Sequence, residues 1–258
     1  VVVDGLRRAA ATLGLSVGLL VLWQLACVIF ALPAVLAPTP AAVARALVAD
    51  APSLVESAWT TFAMALAALA VAAAIAAPLA VLTGVSQLAE AALRPLAVAL
   101  QVTPVVAVAP LVVIWAGLDH AGRAIVALAA VVAFFPLYSG LATGLRSADP
   151  DLERLFDLYG ATRLQRLARL RIPAAVPFAL EGVKVAIGLA IIGAVVAEFV
   201  AGSGQAEGLA WRILEAEHQL QTDKMFAALA VLAALGAGLH ALAGAAETRL
   251  LRRWRGRD

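Results

Sequence analysis

The sequence predicts an all-α integral membrane protein with about six transmembrane helices and one charged loop of helix–glycine–helix form. Three observations lead there. Of 258 residues, 64% are hydrophobic and 14% charged, against about 25% charged in a soluble domain. Apolar runs long enough to cross a bilayer recur along the chain. The densest cluster of charge, Arg163, Arg166, Arg169 and Arg171, falls between two of those runs. A soluble core of this length could not absorb so many apolar side chains, whereas lipid solvates them.

The runs lie near 13–32, 60–84, 95–117, 123–145, 175–200 and 225–247; about 20 residues at about 1.5 Å each span the hydrocarbon. Arg7 and Arg8 precede the first run, which is also how a secretory signal peptide begins. The apolar stretch is too long for a signal core and no small-x-small cleavage site follows, so an uncleaved first helix is expected. The third run is interrupted by Pro104 and Pro110, and kinks there are tolerated if neighbours satisfy the freed carbonyls. No second, soluble domain or low-complexity linker is visible, so residues 1–258 are expected to form one transmembrane domain, with its charged loop at about 146–173.

Arginine placement sets the expected orientation. With both termini cytoplasmic, the inner segments hold Arg7, Arg8, Arg94, Arg146, Arg154, the loop arginines and the C-terminal group from Arg249 to Arg257. The outer segments hold only Arg45, Arg123, Arg212 and Lys224. The positive-inside rule selects this topology. Small residues offer faces for close helix approach: Gly14 with Gly18, Gly140 with Gly144, and Gly236, His240 and Gly244 on one side of the sixth run.

The loop "RSADPDLERLFDLYGATRLQRLARLRIP" has its own local logic. Asp149 followed by Pro150 is a helix start, an acceptor at the cap and a proline at the first position. Leu152, Leu155, Phe156 and Tyr159 follow at i, i+3, i+4 and i+7, one amphipathic stripe. Gly160 ends the helix. Thr162 and Gln165 have capping-box spacing, opening a second short helix with Leu164, Leu167 and Ala168 on one side. Its Arg163, Arg166 and Arg169 are then available to water or phosphate headgroups, and Pro173 is expected to stop it. A basic connector lying on anionic lipid would suit the second helix. The first carries Asp151, Glu153 and Asp157 against Arg154, and its exposed stripe is better explained by a protein partner with a groove.

Few residues bear chemistry. The chain has no G-x-x-x-x-G-K-[ST] loop, and the glycine-rich "GSGQAEG" at 202–208 is expected to be a flexible outer loop. Cys27 is a single cysteine in an apolar run, expected as an inert buried thiol. His120 and His218 fall in outer loops without a second ligand at metal spacing, and His240 is expected to make a helix-packing hydrogen bond. No metal, catalytic triad, cofactor or nucleic-acid site is expected. Gln101 and Thr103 form a polar kink at Pro104, either a solute pathway or a hydrogen bond across helices. Glu198 reads as interfacial or as a gate, and Glu181 with Lys184 as an i, i+3 ion pair. An ion-coupled secondary transporter working alone is disfavoured, since mid-span carboxylates and internal repeats are lacking; a membrane enzyme is disfavoured for want of a catalytic cluster.

The loop resembles the EAA loop of permease subunits in bacterial ABC importers. The match continues in "PTPAAVARAL", "LRPLAVALQVTPVVAVAPLVVIWAGL", "GLRSADPDL", "YGATRLQRLARLRIPAAVPFALEGVKVAIGLA" and "VVAEFVAG". That ordered set is similar to the nitrate/sulfonate/taurine-type importer permeases, which include transporters of pyrimidine and flavin precursors, over roughly residues 33–254. One departure is plain: Arg154-Leu155-Phe156 stands where the family usually has Glu-Ala-Ala.

The resemblance implies a type I importer permease fold in the bacterial inner membrane, paired with a second copy. It implies ABC ATPase subunits inside, which use the ATP, and an extracytoplasmic binding protein that delivers a small solute. Carried onto this chain, the ATPase-docking residues are Leu152, Leu155, Phe156, Asp157, Tyr159, Gly160, Ala161, Arg163 and Pro173; the pathway candidates are the polar residues already read from the spans, Gln101, Thr103 and Glu198.

Overall fold

The structure, a computed structural model, describes residues 2–117, 120–201 and 207–255. Along these the chain forms α1 (Val2–Ile29), α2 (Pro40–Ala49), α3 (Ala51–Val85), α4 (Gln87–Val102), α5 (Val105–Ala116) and α6 (Ala121–Leu145). Then come α7 (Pro150–Leu158), α8 (Arg163–Arg166), a π-helical turn (Leu167–Arg171), α9 (Ile172–Ala201), α10 (Leu209–His218) and α11 (Thr222–Arg255). The glycine-rich stretch at 202–206 lies outside the described residues.

Alanine and glycine organise the packing. On α3, Ser57, Thr61, Ala65, Ala68, Ala72, Ala76 and Ala80 form a buried ridge with steps of three and four, the spacing of one helix face. Ala186, Ala190 and Ala194 repeat it on α9, and Ala121, Ala124, Ile125, Leu128 and Ala129 begin the matching face of α6. The most extensive helix pair is α6 with α9, antiparallel, followed by α3 with α6. Glycine lets the first pair approach to backbone contact. A Cβ on Gly144 would lie 2.7 Å from Ala175 Cα, one on Gly140 2.8 Å from the Phe178 carbonyl oxygen, one on Gly182 2.7 Å from that of Pro136, and one on Gly193 2.8 Å from Ala129 Cα. The expected Gly140/Gly144 face is therefore used. Gly14, Gly18, Gly236 and Gly244 have nothing within 4 Å of such a Cβ, and His240 on that last face is exposed. Among the described residues of one copy of the chain, the helix-packing role expected for this second group is absent.

Among the described residues, four helices are long and apolar enough to cross a membrane: α3, α6, the continuous stretch Arg163–Ala201 and α11; the α4–α5 pair makes a fifth if taken as one span. The first run forms part of α1, whose stretch Gly14–Ile29 is apolar. The third run corrects the expectation of a kinked helix. It breaks between α4 and α5 with a bend of 98°. Pro104 has no N–H to donate and drives the preceding residue to extended backbone, and Thr103 sits at φ −68°, ψ 123°. Pro110, by contrast, is accommodated inside α5.

Pro173 also departs from expectation. It does not stop the helix; α8 runs through the π turn directly into α9. Proline at this position cannot bond to the carbonyl of residue 169 and its ring would crowd it. The wider turn just before it, in which the Ile172 N–H bonds the Leu167 carbonyl, is one solution to that conflict. At the far end of the bundle a smaller apolar cluster joins Val43 and Ala46 of α2, Leu54 of α3, Leu209 of α10 and Ala227 and Ala228 of α11. Trp23 of α1 packs on Phe226 of α11 at 5.6 Å between ring centroids. Cys27 is buried, its Sγ 3.7 Å from the Ala37 carbonyl oxygen.

Candidate functional site

The charged loop folds as its local chemistry dictates. Asp149 accepts from the Asp151 N–H at 2.8 Å and Pro150 opens α7. Gly160 then turns the chain at φ +65°, a backbone conformation that side-chain-bearing residues resist. The Ala161 N–H returns to the Phe156 carbonyl at 3.0 Å. Thr162 and Gln165 complete a reciprocal capping box at 3.2 and 2.8 Å.

Charge decides how α7 lies against the spans. Arg171 Nε donates to Glu153 Oε1 at 2.7 Å, and its NH1 donates to the Gly84 carbonyl at the end of α3, also at 2.7 Å. Arg166 pairs with Glu153 at 3.5 Å and with Asp157. One carboxylate of α7 is thus held by two guanidiniums rooted at the start of the long α8–α9 stretch, and one of those reaches α3. Such charge-assisted bonds are the stronger kind. Arg166 is therefore committed to protein partners, which corrects its expected availability to headgroups; Arg163 and Arg169 remain exposed.

The clamp turns Glu153 and half-buried Phe156 inward and leaves the opposite side bare. Leu152 is 45% exposed, Leu155 43% and Tyr159 82%. Leu158, 84% exposed, belongs to this face and is absent from the sequence-based set, although its i+3 spacing from Leu155 is a usable signal. Leu164, expected to line one side of α8, is likewise exposed. Asp157 and Arg163 are exposed, and Ala161 and Pro173 half-buried. The predicted docking residues thus run from α7 through the Gly160 turn to α8 at Arg163 and into α9 at Pro173, and no residue of α7 is buried within the chain.

The three pathway candidates separate. Gln101 lines a partly open cavity of about 610 Å³ between the α4–α5 break, α6 and α9. Thr103 donates its hydroxyl to the Ala99 carbonyl at 2.7 Å and is not in that lining. Glu198 is 2% exposed, which corrects its reading as an interfacial residue. Its Oε1 accepts from the Trp211 N–H at 3.1 Å, while Thr61 Oγ1 accepts from the Leu209 N–H at 2.9 Å. Carboxylate and hydroxyl, from α9 and α3, thereby take up free donors at the start of α10 and suit its positive end. A Cβ on Gly208 would fall 2.5 Å from Glu198 Oε2 and 2.7 Å from Thr61 Oγ1, so a side chain there would have to push both oxygens aside. Arg212 extends the knot, donating to Ser57 Oγ and Glu215, each at 3.0 Å.

Removing this carboxylate has a definite expected result. Glu198→Ala leaves a buried donor unmet and lowers the stability of the detergent-solubilised chain by roughly 1–3 kcal/mol, with faster proteolysis around α10. Glu198→Gln keeps an acceptor and loses less. Equal melting of Glu198→Ala and the native chain would refute the capping role.

Glu181 and Lys184 pair at 3.3 Å as expected, and Lys184 also reaches Glu247 on α11 at 3.3 Å, a bridge that local spacing could not reveal. Among the described residues no group of His, Cys, Asp and Glu could hold a metal ion.

Comparison with known proteins gives a consistent result. Residues 71–252 match the model of a family described as the binding-protein-dependent transport system inner membrane component. The riboflavin transport system permease protein RibX of Chloroflexus aurantiacus is 40% identical over 165 residues, 64% of this chain and 59% of that one. The formylaminopyrimidine transport permease protein ThiX of Halalkalibacterium halodurans is 37% identical over 147 residues, 57% of each chain. A Bacillus subtilis protein provisionally named as the aliphatic sulfonates transport permease SsuC is 32% identical over 175 residues, 68% of this chain and 61% of that one. The chain thus spans under two thirds of the length of these relatives.

Proposed function

Because this chain belongs to the family of binding-protein-dependent transport system inner membrane components, we propose that it is the membrane-spanning subunit of an ATP-driven importer. In this reading it crosses the bacterial inner membrane six times, counting α1 and the broken α4–α5 pair, with both termini cytoplasmic. Two copies pair, each docking one ABC ATPase subunit on α7, and an extracytoplasmic binding protein delivers the solute at the end that carries α10. The solute is a small sulfonate-, nitrate- or taurine-like anion or a pyrimidine or flavin precursor.

The observation that carries this reading is α7 itself: a helix with an exposed apolar face, clamped by Glu153 to the ends of α3 and α9. Burying one exposed leucine in a partner's groove contributes roughly 1.5–3 kcal/mol. ATP binding draws the ATPases together, α7 moves with them, and the clamp passes that motion to two spans at once. The pathway shifts from inward- to outward-facing because the nucleotide-bound ATPase dimer favours one of the two states. Hydrolysis in the ATPase subunits resets it.

Co-purification with candidate ATPase subunits tests this. The intact chain is expected to retain an ATPase. A Gly160→Pro, Phe156→Asp variant, in which proline cannot adopt φ +65°, is expected to insert normally and lose it. An intact chain that retains none would remove the main support of the importer reading.

A further inference from the structure

We propose that the cavity between the α4–α5 break, α6 and α9 is a solute site suited to an uncharged, flat heteroaromatic molecule and not to a small anion. This rests on the permease reading and narrows its solute. The cavity holds about 610 Å³, within the range of small-molecule sites and far larger than one nitrate ion needs. Phe135 on α6 and Phe178 on α9 line it, together with the polar Gln101, Ser139 and Thr143. Amides and hydroxyls both donate and accept, which matches the mixed edge of a heterocycle.

The contact between α6 and α9 bounds the cavity. Gly140 and Gly182 both line the cavity, and backbone contact between α6 and α9 at these positions leaves no room for a side chain. A planar ring system can pack on Phe135 and Phe178 in the offset or edge-on arrangements that aromatic groups prefer.

Charge argues against an anion. Among the described residues no lysine or arginine lines the cavity, and Glu181 is its ionisable lining group. Lys184 is turned to Glu181 and Glu247 at 3.3 Å each and stands outside the lining. The cavity does receive the start of α5 at Val105, but a helix end presents roughly half a unit charge, and the Lys184 ammonium beside Glu181 is already shared between two carboxylates. A sulfonate or nitrate entering here would leave water without gaining a cationic partner, a costly exchange.

The test uses the purified intact chain in lipid nanodiscs, with riboflavin as an uncharged three-ring probe read by fluorescence quenching and empty nanodiscs as the blank. Saturable quenching is expected. Phe178→Leu and Gln101→Asn, each first checked for unchanged melting, are expected to weaken it about tenfold. Methanesulfonate and nitrate in large excess are expected not to compete. Absence of saturable quenching, quenching that survives both substitutions, or displacement by either anion overturns the proposal. ATPase co-purification from the same preparation decides the permease reading independently, so the two can fail separately.

Discussion

Gly182→Val is expected to abolish recovery of a monodisperse, folded chain from membranes. The Cβ alone would stand 2.7 Å from the Pro136 carbonyl oxygen and 3.4 Å from Gly140 Cα, and the obstacles are backbone atoms of α6 that cannot rotate away. Overpacking of a well-filled core costs about 1–3 kcal/mol, and a clash with backbone in the most extensive helix pair falls at or beyond the top of that range. The same helix supplies its own control. Gly188 has nothing within 4 Å of where a Cβ would stand, so Gly188→Ala is expected to leave melting unchanged or to raise stability by roughly 0.5–1 kcal/mol through helix propensity. Melting temperature and gel-filtration profile of the two variants, solubilised in parallel, decide the matter. If Gly182→Val and Gly188→Ala behave alike, backbone approach of α6 and α9 does not limit the fold.

Arg171→Ala is expected to uncouple α7 from the spans while leaving the fold intact. Among the described residues, Arg171 is the one group that bonds both Glu153 on α7 and the Gly84 carbonyl on α3, each at 2.7 Å. Its loss removes a half-buried charge-assisted bond worth roughly 1.5–3 kcal/mol, or about tenfold and more in the population of correctly seated α7. If the chain works as the importer subunit proposed above, transport coupled to ATP hydrolysis should fall by about that factor, whereas Arg169→Ala, on an exposed side chain, should stay within about twofold. Glu153→Gln tests the same contact from the other side, and a double-mutant cycle isolates the pair from Arg166. Full coupling in Arg171→Ala would mean that α7 transmits through its chain connections alone.

The residues behind these predictions differ in how visible they are in the sequence. Loop geometry is legible there because it is local. Asp149, Pro150, Gly160, Thr162 and Gln165 act on backbone groups one to five residues away, and capping chemistry needs no tertiary partner. The role of the arginines is not. By spacing Arg166 is free to meet water or lipid, and Arg171 has no evident partner. Nothing in the run 163–171 reveals that α7 folds back over it or that α3 ends beside it. Glu198 is hidden in the same way. At the end of an apolar run it looks interfacial, and only the return of α10 against α9 and α3 buries it.

Sequence alone determined that this is a helical membrane protein, where most of its helices run, and where the helix–glycine–helix element begins and turns. Those properties follow from hydropathy and short-range backbone chemistry, which act over one or a few helical turns. Tertiary structure decided the rest: that the third run breaks by 98° at Pro104, not merely kinks, that the chain stays helical past Pro173, and which glycines meet a neighbour. It also decided that Gln101 faces a cavity while Glu198 caps a helix. A residue's role in a bundle depends on what the neighbouring helices place opposite it, and sequence spacing fixes only the face on which that residue stands.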